Sequence, residues 1–83
     1  MSLRALGGPR ETSVETGPDG APRAVIVGGR RRPVTAVRDD WLVQDLWWTA
    51  SPVERHYHEL VVEPGRVVLA YRDGVDATWH VHS

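Results

Sequence analysis

Residues 55–82 read RHYHELVVEPGRVVLAYRDGVDATWHVH, and two turn signals divide this stretch into three runs rich in valine, leucine and aromatic residues. Pro64-Gly65 is the first signal and Asp73-Gly74 is the second. Glycine reaches the positive φ angles of tight turns without a Cβ penalty, so each dipeptide favours a hairpin. Short β-prone runs between such turns predict consecutive antiparallel strands.

The two turns also predict which side chains share a face, because successive side chains of a strand point to opposite sides. A two-residue turn at Pro64-Gly65 places Val62 opposite Val67, and a three-residue loop at 72–74 places Val75 opposite Tyr71. The predicted apolar face then consists of Leu60, Val62, Val67, Leu69, Tyr71, Val75, Ala77 and Trp79. This division predicts a mainly β fold, a small curved antiparallel meander sheet or incomplete barrel of about five strands.

The rest of the chain extends this meander toward the N-terminus. Gly28-Gly29 separates the runs RAVIV and RRRPVTAV and is a third turn signal. Residues 39–50, DDWLVQDLWWTA, fit either a helix capped by Asp39 or Asp40 or a strand that turns at Gln44-Asp45 and resumes at Leu46. The strand interpretation is preferred, because the helical pattern is not cleanly amphipathic. Residues 1–22 are rich in proline and glycine and predict a flexible leader before a β domain at 23–83.

Composition narrows the function classes. The net charge is −1 at pH 7, so no overall field attracts nucleic acid or an anionic membrane. The chain has no cysteine, which excludes disulfides and thiolate metal sites. No apolar run is long enough for a membrane span and no signal peptide is recognisable, so a cytoplasmic location is expected by default. So small a domain could also cover exposed tryptophans and an unpaired strand edge by forming a homodimer.

Two histidine pairs raise the question of a metal site. His56 and His58, like His80 and His82, are spaced so that each pair points to one side of a strand. The predicted register puts the two pairs on opposite faces, so a shared four-histidine site is not expected, and neither a metal nor a cofactor is predicted. A histidine-based metal-binding protein remains the third function hypothesis.

Arg30, Arg31 and Arg32 follow a glycine turn and could clamp phosphates beside a stacking aromatic ring. The alternative is a charged edge strand that guards against aggregation, which the following Pro33 favours. A small nucleic-acid-binding module, for DNA above all, is therefore the second function hypothesis.

Trp47 and Trp48 support the leading hypothesis. Adjacent residues of an extended segment point to opposite faces, so one of these indoles should be exposed, as in interface hot spots. The alternative is that both are packed, in a domain that has few other aromatic residues. With the flanking Arg55 they are the predicted protein-binding residues. The sequence has no nucleophile motif, no phosphate loop and no metal helix, so no catalytic residues and no enzymatic activity are predicted.

The segments RRRPVTAVRDDW, WW and ERHYHELVVEPGRVVLAYRDGVDATW resemble a small actinobacterial family of unknown function. That family is associated with error-prone translesion polymerase cassettes, as a separate protein or fused to an inactive Y-family polymerase-like subunit. The similar elements are the Arg-Pro-Val entry, Trp41, Trp47-Trp48, Arg55, Tyr57, Gly65-Arg66 and Trp79. The resemblance implies a non-enzymatic accessory or adaptor in DNA repair, with a polymerase-related subunit as its protein partner.

Overall fold

The computed structural model describes residues 9–82, and these residues form strands and turns without any helix. The strands are β1 (Arg10–Thr12), β2 (Val14–Thr16), β3 (Pro22–Val27), β4 (Arg30–Asp45), β5 (Val53–Val62), β6 (Arg66–Asp73) and β7 (Thr78–His82). They form one curled antiparallel sheet in the order β1-β7-β6-β5-β4-β3-β2. The predicted mainly β, curved antiparallel architecture is confirmed, with seven strands where fewer were expected.

The chain itself links the two edges of this sheet. β1 pairs with β7 at one edge and β2 pairs with β3 at the other, although only Ser13 separates β1 from β2. Ser13 accepts a hydrogen bond from the backbone N–H of Ile26 at 3.1 Å, and the Thr12 hydroxyl donates to the Ile26 carbonyl at 2.6 Å. The sheet must therefore curl, since consecutive residues belong to both of its ends.

The prediction of a flexible leader over residues 1–22 is wrong for residues 10–16, which form β1 and β2. These strands have three residues each and are mostly polar, too short to show the alternation that identifies a strand. Backbone pairing with β7 and β3 satisfies their polar groups, and Val14 packs against the core. The predicted leader's residues 1–8 lie outside the described part of the chain.

The core lies on the concave side of the sheet. Its buried members come from four strands and are Val25, Val27, Leu60, Val62, Val68, Ala70 and Val81. Most are β-branched residues, which suit a pleated, closely packed surface. His58 is the buried polar residue beside this cluster, 8% exposed.

Residues 39–45, the first part of the ambiguous middle segment 39–50, belong to β4. The strand runs for 16 residues to Asp45, so the strand interpretation of residues 39–45 is confirmed. The predicted turn at Gln44-Asp45 is wrong, because the chain leaves the sheet at Leu46 and returns only at Val53. Register shifts between Val34 and Ala36 and between Val37 and Asp39 bend β4 around the sheet.

The predicted register of the last two hairpins is wrong by an odd number of residues in each case. The first loop has three residues, 63–65, so that Val62 pairs with Arg66. The second has four, 74–77, so that Asp73 pairs with Thr78. The side chains of β6 therefore point to the opposite faces from the predicted ones. The two register errors cancel at β7, whose side chains lie on the predicted faces.

The described residues hold no helix able to span a bilayer.

Candidate functional site

The concave face opens into a depression of about 700 Å³ beside the core. Its walls come from β4 to β7 and from the turn between β2 and β3. The side chains that give it chemical character are Asp40, His56, His58, Arg72 and Trp79. One carboxylate, two imidazoles, a guanidinium and an indole therefore meet in one open concavity.

Asp40, His56 and His58 meet because β4 and β5 form a long ladder. Asp40 pairs with His58 in that ladder, and the register shift before Asp39 brings its side chain to the concave face. His56 lies two residues from His58 and therefore on the same face. The Asp40 Oδ2 and His56 Nε2 atoms are 2.8 Å apart, and the two imidazole centroids are 4.2 Å apart. One possible ligand atom from each of the three residues lies within 4.8 Å of the others.

His58 is the most enclosed member of this cluster. Its Nδ1 atom is buried and has no hydrogen-bond partner. The Trp79 ring lies 5.4 Å from the His58 ring, centroid to centroid. Burial is the main cause that lowers the pKa of His58, and the nearby His56 acts in the same direction. The environment thus favours the neutral imidazole, which has a free ring-nitrogen lone pair.

The prediction that the two histidine pairs lie on opposite faces is confirmed. Tyr71 pairs with His80 and Leu69 with His82, so these histidines lie on the convex face. The proximity of Asp40 to His56 and His58 has no marker in the sequence. The pairing follows from the length of the β4–β5 ladder and its register shifts, for which the sequence carries no marked turn signal.

The convex face carries a row of rings across four strands. Trp41 stacks on Tyr57 with centroids 5.5 Å apart, and Tyr57 contacts Tyr71 at 5.0 Å. Tyr71 in turn stacks on His80 at 4.8 Å. The Arg55 guanidinium lies 4.7 Å from the Tyr71 centroid, and its Nη1 donates to the Tyr57 hydroxyl at 3.4 Å. Arg55 thus contributes to this row, where it covers Tyr71.

Trp47 and Trp48 lie in the loop that joins β4 to β5. Their indoles are 75% and 65% exposed and make an edge-to-face contact at 5.8 Å. Leu46 begins the loop with φ of 52° and accepts hydrogen bonds from the N–H and hydroxyl of Thr49, at 3.0 and 2.8 Å. A groove of about 350 Å³ adjoins the loop, lined by Gln44, Trp47, Pro52, Val53, Glu54 and Val75.

The three arginines after the first glycine turn are not presented as one cluster. Arg31 forms a two-pronged ion pair with Glu15, with nitrogen-oxygen distances of 2.5 and 2.9 Å. Arg32 is partly buried, and its Nη1 donates to the Glu63 carbonyl at 3.2 Å. Arg30 is exposed in the first pair of β4. Two of the three side chains therefore hold neighbouring segments of the sheet.

Comparison of the chain with models of protein families, with curated proteins and with solved structures returns no match.

Proposed function

We propose that this protein is a non-enzymatic binding module that docks a protein segment on the loop end of the β4–β5 hairpin. We call this surface the tryptophan end and define it by Leu46, Trp47, Trp48, Pro52 and Val75. The exposure of both indoles, 75% for Trp47 and 65% for Trp48, is the observation that carries the proposal. Isolated domains rarely leave two adjacent large aromatic side chains in water without a binding role.

The loop's own hydrogen bonds support a docking role. Asp45 accepts from the N–H of Leu46 at 2.7 Å, and the Thr49 hydroxyl accepts from the N–H of Ser51 at 3.1 Å. Leu46 stays in the left-handed region, which costs a non-glycine residue about 1–2 kcal/mol. The backbone of the loop that carries the tryptophans is therefore ordered before binding, which lowers the entropy that is lost when a partner docks.

The charge of the residues beside the groove indicates which kind of protein segment would bind there. Glu54 is the charged residue that lines the groove beside Trp47. Arg55, the nearest basic residue in sequence, is turned into the ring row of the convex face. The Glu54 carboxylate beside the exposed Trp47 is complementary to a segment with aliphatic side chains and a flanking arginine or lysine.

The resemblance to the translesion-associated family supplies a first partner to test. We propose that the docked segment belongs to a polymerase-like subunit of that cassette. The identity of the partner is tested separately from the position of the docking surface. Co-purification with such a subunit, which Trp48→Ala should abolish, tests it directly.

The surface is tested by selecting displayed peptides on the 83-residue chain and measuring their affinity by calorimetry. We expect selected peptides to combine aliphatic and basic residues. Trp47→Ala or Trp48→Ala should weaken their binding by at least about 30-fold, the effect of a hot-spot residue. Val67→Ala is the matched control, because Val67 is an exposed apolar residue, 46% accessible, on β6.

Two results would overturn this proposal. The first is equal affinity of the selected peptides for the wild type and for both tryptophan variants. The second is a wild-type dimer in light scattering that becomes monomeric in Trp48→Ala, because the tryptophan end would then serve self-association. Both variants should keep the stability of the wild type within about 0.5 kcal/mol, as is usual for exposed side chains.

A further inference from the structure

We propose that Asp40, His56 and His58 form a binding site for one divalent transition-metal cation of the zinc class. The inference goes beyond the proposed docking function, because the three residues lie on the concave face and none of them belongs to the tryptophan end. It rests on the geometry of the three side chains, the donor types and the open space beside them.

The spacing of the donor atoms fits a single ion. The three candidate ligand atoms lie within 4.8 Å of one another, close enough to converge on one ion. Asp40 and His56 are already in contact at 2.8 Å. β4 and β5, which carry these residues, are paired along this whole segment, and the backbone of the site is therefore fixed.

An ordinary ion pair between Asp40 and His56 does not account for the third residue. His58 is 8% exposed, and its Nδ1 is buried without a hydrogen-bond partner. A buried polar atom without a partner is costly, about 1–3 kcal/mol. We infer that a cation bound between His58, the neighbouring imidazole of His56 and the Asp40 carboxylate would give His58 a polar partner; the two imidazole centroids are 4.2 Å apart.

The donor set indicates the class of cation. Two imidazoles and one carboxylate suit zinc and other first-row divalent ions, whereas calcium and magnesium prefer oxygen ligands. Three protein ligands leave one position of a tetrahedral ion vacant, and the 700 Å³ depression gives access to it. Arg72 lines the same depression, so an anionic fourth ligand, such as a carboxylate, is favoured there.

The experiment uses the full chain, freed of metal with EDTA and dialysed, and titrated with zinc chloride by calorimetry. We expect one Zn²⁺ per chain. Loss of a second-shell partner already costs a metal site about 10–100-fold in affinity, so loss of a ligand in Asp40→Asn or His56→Gln should cost at least about 100-fold. Both residues are partly or fully exposed, and the variants should fold normally.

His82→Gln is the matched control, because His82 is a partly exposed histidine on the convex face. It should bind Zn²⁺ as the wild type does. Ring-proton NMR adds a second readout, in which Zn²⁺ should shift the signals of His56 and His58 and leave His80 unchanged. This readout does not depend on any substitution.

Three outcomes would overturn the metal site: no binding of Zn²⁺ to the wild type, equal binding by Asp40→Asn and His56→Gln, or shifts confined to His80 and His82. Trp48→Ala should bind Zn²⁺ normally. Failure of the metal site is thereby distinguished from failure of the docking surface, because each has variants that leave the other intact.

Discussion

Leu60 of β5 stands directly opposite Val68 of β6, and the two side chains are 0% and 2% exposed. Their contact lies at the centre of the concave core. The neighbouring Val67 points to the other side of the sheet and is 46% exposed. One step along β6 therefore separates a fully buried valine from an exposed one.

This relationship predicts a large effect on stability for one substitution and almost none for its neighbour. Val68→Ala removes two buried methyl groups and should lower the free energy of unfolding by about 2 kcal/mol. Val67→Ala should change it by less than about 0.5 kcal/mol, because its side chain is largely in water. Urea denaturation followed by tryptophan fluorescence measures both. A larger loss in Val67→Ala would contradict the observed register.

Val67 and Val68 also show that the register of β6 could not be predicted from the sequence. The three turn dipeptides located the β3–β4, β5–β6 and β6–β7 loops, and glycine takes a positive φ at Gly28 (58°), Gly29 (80°) and Gly65 (138°). They did not give the loop lengths. A loop of three residues and not two at 63–65 inverts the face of β6, since side chains alternate with a period of two.

The site formed by Asp40, His56 and His58 could be predicted only in part, because it too depends on strand register. The spacing of His56 and His58 identified a pair on one face, and that face was correctly separated from His80 and His82. Asp40 joins the pair through a register that two bulges alter, and bulges leave no clear mark in a single sequence. The sequence predicted that one of the two indoles, Trp47 or Trp48, would be exposed, and the structure shows that both are exposed.

Ala77 offers a test of the second loop. Its φ angle is 61°, a left-handed conformation that disfavours any residue with a Cβ atom. Ala77→Gly should therefore raise the free energy of unfolding by about 0.5–1 kcal/mol, measured as a melting temperature higher by about 3–6 °C. Ala36→Gly is the control, because Ala36 is an exposed strand residue at which glycine should destabilise. A loss of stability in Ala77→Gly would contradict this loop conformation.

The ion pair between Glu15 and Arg31 predicts a pH-dependent contribution of β2. The hydrogen bond that Glu15 accepts from Arg31 is the main cause that lowers the pKa of Glu15 in the folded state. A lowered pKa contributes stability above the unfolded pKa, near 4.5, and this contribution is lost as the pH falls through the folded value. Glu15→Gln should therefore melt below the wild type at pH 7, and the difference should shrink as the pH falls below 4.5.

Salt provides the control for this pair. Both side chains are more than half exposed, so 1 M sodium chloride should reduce the difference between wild type and Glu15→Gln at pH 7. Differential scanning calorimetry across pH 3–7 measures the effect. A difference that persists unchanged at pH 3 would show that Glu15 acts through packing and not through its charge.

Tyr71 predicts a loss of stability at the alkaline end. It is 3% exposed, between Tyr57, His80 and the Arg55 guanidinium. Burial is the main cause that raises its pKa above the ordinary value of 10.0, and the charge of Arg55 opposes this shift. The folded state therefore holds the phenol proton more tightly than the unfolded state. Stability is full below pH 10 and falls as the pH rises through the folded pKa.

Tyr71→Phe isolates this ionisation, because it keeps the ring and removes the proton. The chain has no lysine and no cysteine, so few other side chains titrate in this range. The difference in free energy of unfolding between wild type and variant at pH 8 measures the hydroxyl in its neutral form. Between pH 8 and pH 11 the wild type should lose more stability than Tyr71→Phe, as denaturation curves at each pH would record. Parallel losses in the two proteins would assign the alkaline transition to another group and would contradict burial of the Tyr71 hydroxyl as its cause.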